Sequence, residues 1–155
     1  MANVFSQMNI QTVFSVKGRQ NFLTDKIRPE LFKYMSGILK NMDLYPLAVN
    51  GYKDHVHLFF ELDPDVSVSE VMRIVKTNSS KWMNENGFMP SRFEWQRGYG
   101  SFSYSRSQRD SVIQYIMKQE EHHFVPHNTF RKEYLELLEK FEIEYNPLYL
   151  FEFYD

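Results

Sequence analysis

Two stretches of this chain hold residue types at spacings that could do chemistry. In "GYKDHVHLFF", residues 51–60, His55 and His57 stand one residue apart inside an apolar run. Side chains alternate along a strand, so His55, His57, Phe59 and Glu61 share one face while Val56, Leu58, Phe60 and Leu62 share the other. The second face reads as core. Same-face neighbours lie about 7 Å apart at Cα, close enough for two imidazoles to clamp one divalent ion. The plainer reading is two hydrogen-bonded histidines on a half-exposed strand, or one ordered by Asp54. Cupins and amidohydrolases also use His-x-His, but a cupin needs more strands and an amidohydrolase a longer barrel.

In "SVIQYIMKQEEHH", residues 111–123, Tyr115 and Gln119 are four apart and share a helical face with Val112. A tyrosine on such a face is usually core. The amide one turn on offers a carbonyl oxygen as a third ligand, which would put Tyr115 beside the ion. Two neutral imidazoles and a neutral amide would leave the ion's double charge undiminished for a phosphate oxygen. An unperturbed phenol, with pKa about 10, is ionised about once in a thousand molecules at neutral pH, and an adjacent cation raises that fraction. As a nucleophile a phenol is also a good leaving group, so Tyr115 could store a phosphodiester bond for rejoining.

These residues need a scaffold. With 155 residues and 43% hydrophobic, 17% aromatic content, the chain suits one folded domain, residues 1–155. There is no cysteine, which excludes disulfides, thiolate metal sites and a thiol nucleophile. The amino-terminal stretch has no signal-peptide pattern, and no run reaches the roughly 18 apolar residues that span a bilayer, so a cytoplasmic protein without membrane contact is expected. The formal charge of −2 gives no global attraction to nucleic acid.

"MNIQTVFSV", residues 8–16, reads as a first strand, and the spacing predicts a helix over residues 29–42 with Pro29 in its first turn. A hairpin follows, with "LYPLAVNGY" and "HVHLFFEL" on either side of an Asn50-Gly51 turn signal. Periodicity predicts a second helix over residues 67–84, and "RFEWQ" and "GSFSYS" look like short strands. Ser107 and Asp110 are spaced as a capping box opening a helix over 108–121, and a last amphipathic helix covers about 128–142. The order βαββαβ followed by two helices, the first of them carrying Tyr115, predicts an α+β fold: a ferredoxin-like antiparallel sheet with helices on one face, its other face left for an added helix, a partner or a ligand.

Taken in order, "DHVHLFF", "FEWQRGYGSFSYS", "VIQYIMKQEEHH" and "TFRKEYLELLEKFEIEY" resemble the HUH single-tyrosine transposases of small insertion sequences, including the REP-associated tyrosine transposases. The resemblance covers most of the chain. It implies that His55 and His57 bind Mg2+ or Mn2+ with Gln119. It further implies that Tyr115 attacks single-stranded DNA bearing hairpins, leaving a 5′-phosphotyrosine bond and a free 3′-hydroxyl. A homodimer is implied too, with the tyrosine helix of one subunit completing the histidine site of the other in typical members.

Local charge could serve such DNA despite the acidic balance. Lys17 and Arg19 follow the first strand, Arg73, Lys76 and Lys81 lie on the second helix, and Arg97 and Arg106 flank "GYGSFSYSR". Each could meet phosphate, and Tyr99, Phe102 or Tyr104 could stack on bases, with ordinary solvated charge and core aromatics as the alternative. Gly98 and Gly100 read as allowing a bulge or a close backbone approach. His122 and His123 could contact the site or DNA, but read first as helix-end histidines favoured by the dipole, and no catalytic role is assigned to them. Two other functions remain open: a domesticated hairpin-binding protein that does not cut, and a metal-dependent hydrolase of small phosphodiesters with Tyr115 in the core.

Overall fold

The computed structural model describes residues 3–155. Strand β1 (Asn9–Ser15) is followed by helix α1 (Ile27–Asn41), the hairpin of β2 (Tyr45–Gly51) and β3 (His55–Glu61), helix α2 (Val68–Glu85) and strand β4 (Gly100–Tyr104). The strands form one sheet in the order β2-β3-β1-β4, and every neighbouring pair is antiparallel. This is the ferredoxin-like βαββαβ arrangement that the element order predicts.

The sheet is buried on both faces, and its alternation sorts them. Phe14, Val56, Leu58 and Phe60 pack into one core with Leu31, Met35 and Leu39 of α1 and Val71, Met72 and Val75 of α2. On the opposite face the register aligns Gln11 with Phe59, Val13 with His57 and Ser15 with His55. That face is covered by α3 (Arg109–Met117), α4 (Gln119–Phe124) and α5 (Phe130–Lys140). Val112 and Ile116 pack on Phe59 and Ala48, while Phe130 stacks on His55 with centroids 4.2 Å apart.

Four local expectations are corrected. The Asn50-Gly51 pair is not the hairpin turn: Gly51 still pairs with Val56, and the loop is Tyr52 to Asp54. A Cβ on Gly51 would lie 2.2 Å from the His55 carbonyl oxygen, so this glycine serves close strand approach. "RFEWQ" forms only a single bridge, Trp95 to Val16, and is tied down by the Gln96 side chain, which donates to the carbonyls of Val16 and Glu152. The capping box belongs to Ser105 and Gln108, two residues earlier than expected, because the chain first makes a 3-10 turn at Arg106–Gln108. Finally, the tyrosine helix breaks at Lys118, where a Lys118 N–H to Tyr115 carbonyl bond tightens the last turn of α3 before α4 restarts.

Candidate active site

The hairpin loop ends at Asp54, and β3 then presents His55 and His57 to the helical layer, both fully buried. The break at Lys118 re-aims the chain so that Gln119 and His123, one turn apart on α4, also point into the sheet. From α5 comes Glu133, only 3% exposed, and from α3 comes Tyr115, 36% exposed. The three expected ligands and the expected nucleophile therefore meet within one chain. Two further residues, Glu133 and His123, stand among them.

Glu133 is the hub. Its Oε1 lies 3.2 Å from Nε2 of His55, 3.2 Å from Nε2 of His57 and 3.0 Å from Nε2 of His123. Its Oε2 accepts from the Gln119 amide at 2.7 Å and from the Tyr115 hydroxyl. Gln119 Oε1 sits 2.8 Å from His55 Nε2 and 3.0 Å from His123 Nε2. The phenol that would attack and the imidazoles that would hold an ion thus share one carboxylate.

The outward nitrogens are held as well. His55 Nδ1 is 2.7 Å from the Asp54 carboxylate, and His123 Nδ1 is 2.5 Å from the Asn128 carbonyl oxygen. Both outer partners are acceptors, so each Nδ1 carries a proton and each Nε2 faces the cluster. His57 Nδ1 lies 2.8 Å from the Gln11 amide, whose oxygen accepts from the Tyr104 hydroxyl at 2.7 Å. A half-turn of that amide exchanges its donor and acceptor, so Gln11 can support either tautomer of His57. Outward anchoring with inward Nε2 atoms is the arrangement of metal-binding histidines, and these residues fit a divalent ion.

Electrostatics follow from burial and partners. Burial opposes a charged His55, but Asp54 and then Glu133 outweigh it and push the imidazole up to about 10. Burial also opposes a charged Glu133, yet His57 and hydrogen bonds from the three histidines hold its carboxyl well below the usual range. His57 moves down because burial exceeds the pull of Glu133. For Tyr115, burial and then the Glu133 charge raise the phenol above its ordinary value. The Glu133 carboxylate thus holds the phenol as a neutral donor.

Of the two readings of His122 and His123, contact with the site is the one the structure shows. His123 is buried in the cluster, and half-buried His122 sits edge-on to Tyr115 with centroids 5.6 Å apart. The sequence contained a signal for both missed residues. Glu133 occupies the stripe Phe130, Glu133, Tyr134, Leu137, Leu138, which otherwise is apolar, and His123 follows Gln119 by four.

Beside Tyr115 opens a cavity of about 430 Å3, lined by Tyr104, Ser111, Val112, Tyr115, Glu133 and Lys140 among others. The cations singled out in the sequence do not gather there. Arg73, Lys76 and Lys81 lie on α2, across the sheet from the histidines. Arg73 is paired with Glu70 and Lys81 with Glu85, and Lys76 donates to the carbonyls of Gln96 and Gly98, so it is not a free cation. Lys17 pairs with Glu94 at 3.6 Å. Arg19, Arg97 and Arg106 are exposed, Tyr99 is half-buried against the core, and Phe102 is core. Gly100 does allow a close approach: a Cβ there would lie 2.8 Å from the Tyr134 ring.

The site thus sets paired imidazoles on a ferredoxin-like sheet against a helix that carries a tyrosine. Residues 4–119 match the family model described as "Transposase IS200 like", and the chain belongs to that IS200-like transposase family, whose members are enzymes acting on DNA. Among solved structures it is similar to a presumed transposase from Deinococcus radiodurans R1, at 20% identity and TM-score 0.59, covering 76% of this chain and 94% of that one. It is also similar to a REP-associated tyrosine transposase bound to a REP hairpin, at 13% identity and TM-score 0.58, covering 78% of this chain and 72% of that one. No curated protein sequence matches significantly.

Proposed function

We propose that this protein is a metal-dependent transposase that cuts and rejoins hairpin-bearing single-stranded DNA, with Tyr115 as nucleophile and His55, His57 and Gln119 holding Mg2+ or Mn2+. One observation carries the reading: the Tyr115 hydroxyl bonds to the same carboxylate that faces both histidines. Family membership and the hairpin-bound structural neighbour support the choice of DNA.

When bound, a divalent ion would supply Lewis-acid polarisation of the scissile phosphate and positive charge beside the forming phenolate. The chain's own residues do the rest. Glu133 orients the phenol, and Gln119 braces that carboxylate from the next turn. In the cutting step the phenolic proton leaves along its bond to Glu133, the tyrosine oxygen–phosphorus bond forms, and the bond from phosphorus to the 3′ oxygen breaks. The departing oxygen takes a proton from water, giving a 3′-hydroxyl and a 5′-phosphotyrosine link. Attack by another 3′-hydroxyl reverses the step and rejoins strands. Flanking nucleotide fits the cavity by Tyr115, with the Tyr104 ring as a surface for a base and Lys140 for a phosphate. In a homodimer each copy would carry its site in cis, because histidines and tyrosine meet in one chain.

The test is incubation of labelled hairpin-bearing single strands with protein and Mn2+, followed by denaturing electrophoresis. Wild type forms protein-linked DNA and Tyr115→Phe forms none. A product lacking the protein link that survives Tyr115→Phe would mean phosphodiester hydrolysis, and hairpin binding with no cleavage would mean a binding module.

A further inference from the structure

We propose that Glu133 and His123 are ligands of the ion in their own right, so that three imidazoles, a carboxylate and an amide oxygen form a site selective for transition ions over Mg2+. This rests on the metal reading above, which names only the histidine pair and Gln119. Neither added residue falls in the part of the chain that matches the family model, which ends at Gln119.

The first argument is orientation. His123 has no need of the cluster to satisfy Nδ1, which is spent on the Asn128 carbonyl, and its Nε2 is left facing Glu133 and Gln119, where release of its proton would free a lone pair for an ion. His55 is set the same way by Asp54. A carboxylate with one oxygen facing three such nitrogens supplies the negative charge that a buried dication needs.

The second argument is spacing. Neighbouring donors on an octahedron with bonds of about 2.1 Å are about 3.0 Å apart. His55 Nε2 and His123 Nε2 each lie 2.8 to 3.2 Å from both Gln119 Oε1 and Glu133 Oε1, and His57 Nε2 lies 3.2 Å from Glu133 Oε1. The donors already stand at the edge lengths of a small six-coordinate ion. A set with only His55, His57 and Gln119 would leave Glu133 and His123 as buried groups serving one another.

The third argument is ligand chemistry. Mg2+ prefers oxygen and keeps its waters, whereas imidazole favours ions later in the first transition row. Three nitrogens against two oxygens therefore favour Co2+, Fe2+, Zn2+ and Mn2+ over Mg2+. The carboxylate also corrects the expectation of an all-neutral set: it would cancel one unit of the ion's charge while its other oxygen holds Tyr115.

The test titrates metal-free, full-length protein with Co2+, reading visible absorption and calorimetric affinity. Wild type is expected to bind one ion. His123→Asn and Glu133→Gln should each weaken binding by about 100-fold and change the absorption bands, while His127→Asn, at an exposed histidine outside the cluster, stays within about twofold. Circular dichroism checks that each variant is folded. Pulsed EPR of wild type loaded with Mn2+ counts the bound imidazole nitrogens without any substitution: three support the proposal and two overturn it. Full affinity and unchanged bands in folded His123→Asn and Glu133→Gln, with binding lost in His55→Ala, would overturn this proposal alone. Absence of Co2+ binding by wild type would overturn it together with the metal reading beneath it.

Discussion

Asp54 shows how one neighbour can set the chemistry of a site. Its carboxylate lies 2.7 Å from His55 Nδ1 and helps to raise that imidazole to about 10, against the opposing effect of burial. A raised histidine contributes stability that is complete below its unfolded value of 6.5 and is lost as pH rises towards 10. Glu133 has the opposite sign: its depressed carboxyl contributes above an unfolded value of 4.5 and loses that contribution in acid. Neutral buried His57 also costs stability below 6.5, where the unfolded chain takes up a proton. Chelator-treated protein should therefore lose melting temperature between pH 6.5 and 8, below the range in which Lys76, lowered to about 8 by burial, contributes with the opposite sign, and Asp54→Asn should flatten that slope. Thermal melts across the range check it. The same variant should weaken ion binding by about 10- to 100-fold, as loss of an outer partner to a ligating histidine does.

Elements bring these residues together, and α5 does so at one tight contact. Tyr134 presses on β4 where Gly100 has no side chain, one residue along the helix from Glu133. Gly100→Ala puts a methyl 2.8 Å from the Tyr134 ring, so the ring must give, and the part of that strain passed to the helix displaces Glu133. The expected cost is about 1 to 3 kcal/mol in unfolding free energy, with a rise in the Kd for metal well beyond what lost stability explains. Denaturant melts and metal titration on the same samples separate the two. The sequence announced this contact only in outline. Period-two alternation placed both histidines on the right face of β3, and the amphipathic stripes found α1, α2, α5 and one helix where the chain makes α3 and α4. The break at Lys118 was not legible, since no proline or glycine marks it; it is visible only through the buried contacts it gives Gln119 and His123. Glu133 was the one charge in an apolar stripe, yet Arg131, Lys132, Glu136 and Glu139 around it let it pass as one more member of the solvated face of an amphipathic helix.

Across the whole molecule, charge divides the surface in a way composition could not reveal. A net charge of −2 offers a DNA strand no general pull, so its path depends on which cations are both free and near Tyr115. The sheet separates α2 from the histidine face, and Arg73 and Lys81 already have carboxylate partners there. Lys140 instead lines the cavity beside Tyr115. Reversing both α2 charges, in Arg73→Glu with Lys81→Glu, should leave the yield of protein-linked DNA within about twofold, because exposed pairs of that kind contribute little and lie across the sheet from the reaction. Lys140→Gln should lower the yield at limiting DNA. It should also make the logarithm of affinity less steep against the logarithm of salt by about 0.7, the share of one phosphate contact on a single strand. Filter binding at several salt concentrations, with covalent capture in parallel, measures both. A hairpin that instead crosses the outer helices would invert the result, with the α2 variant losing capture and salt dependence while Lys140→Gln kept both.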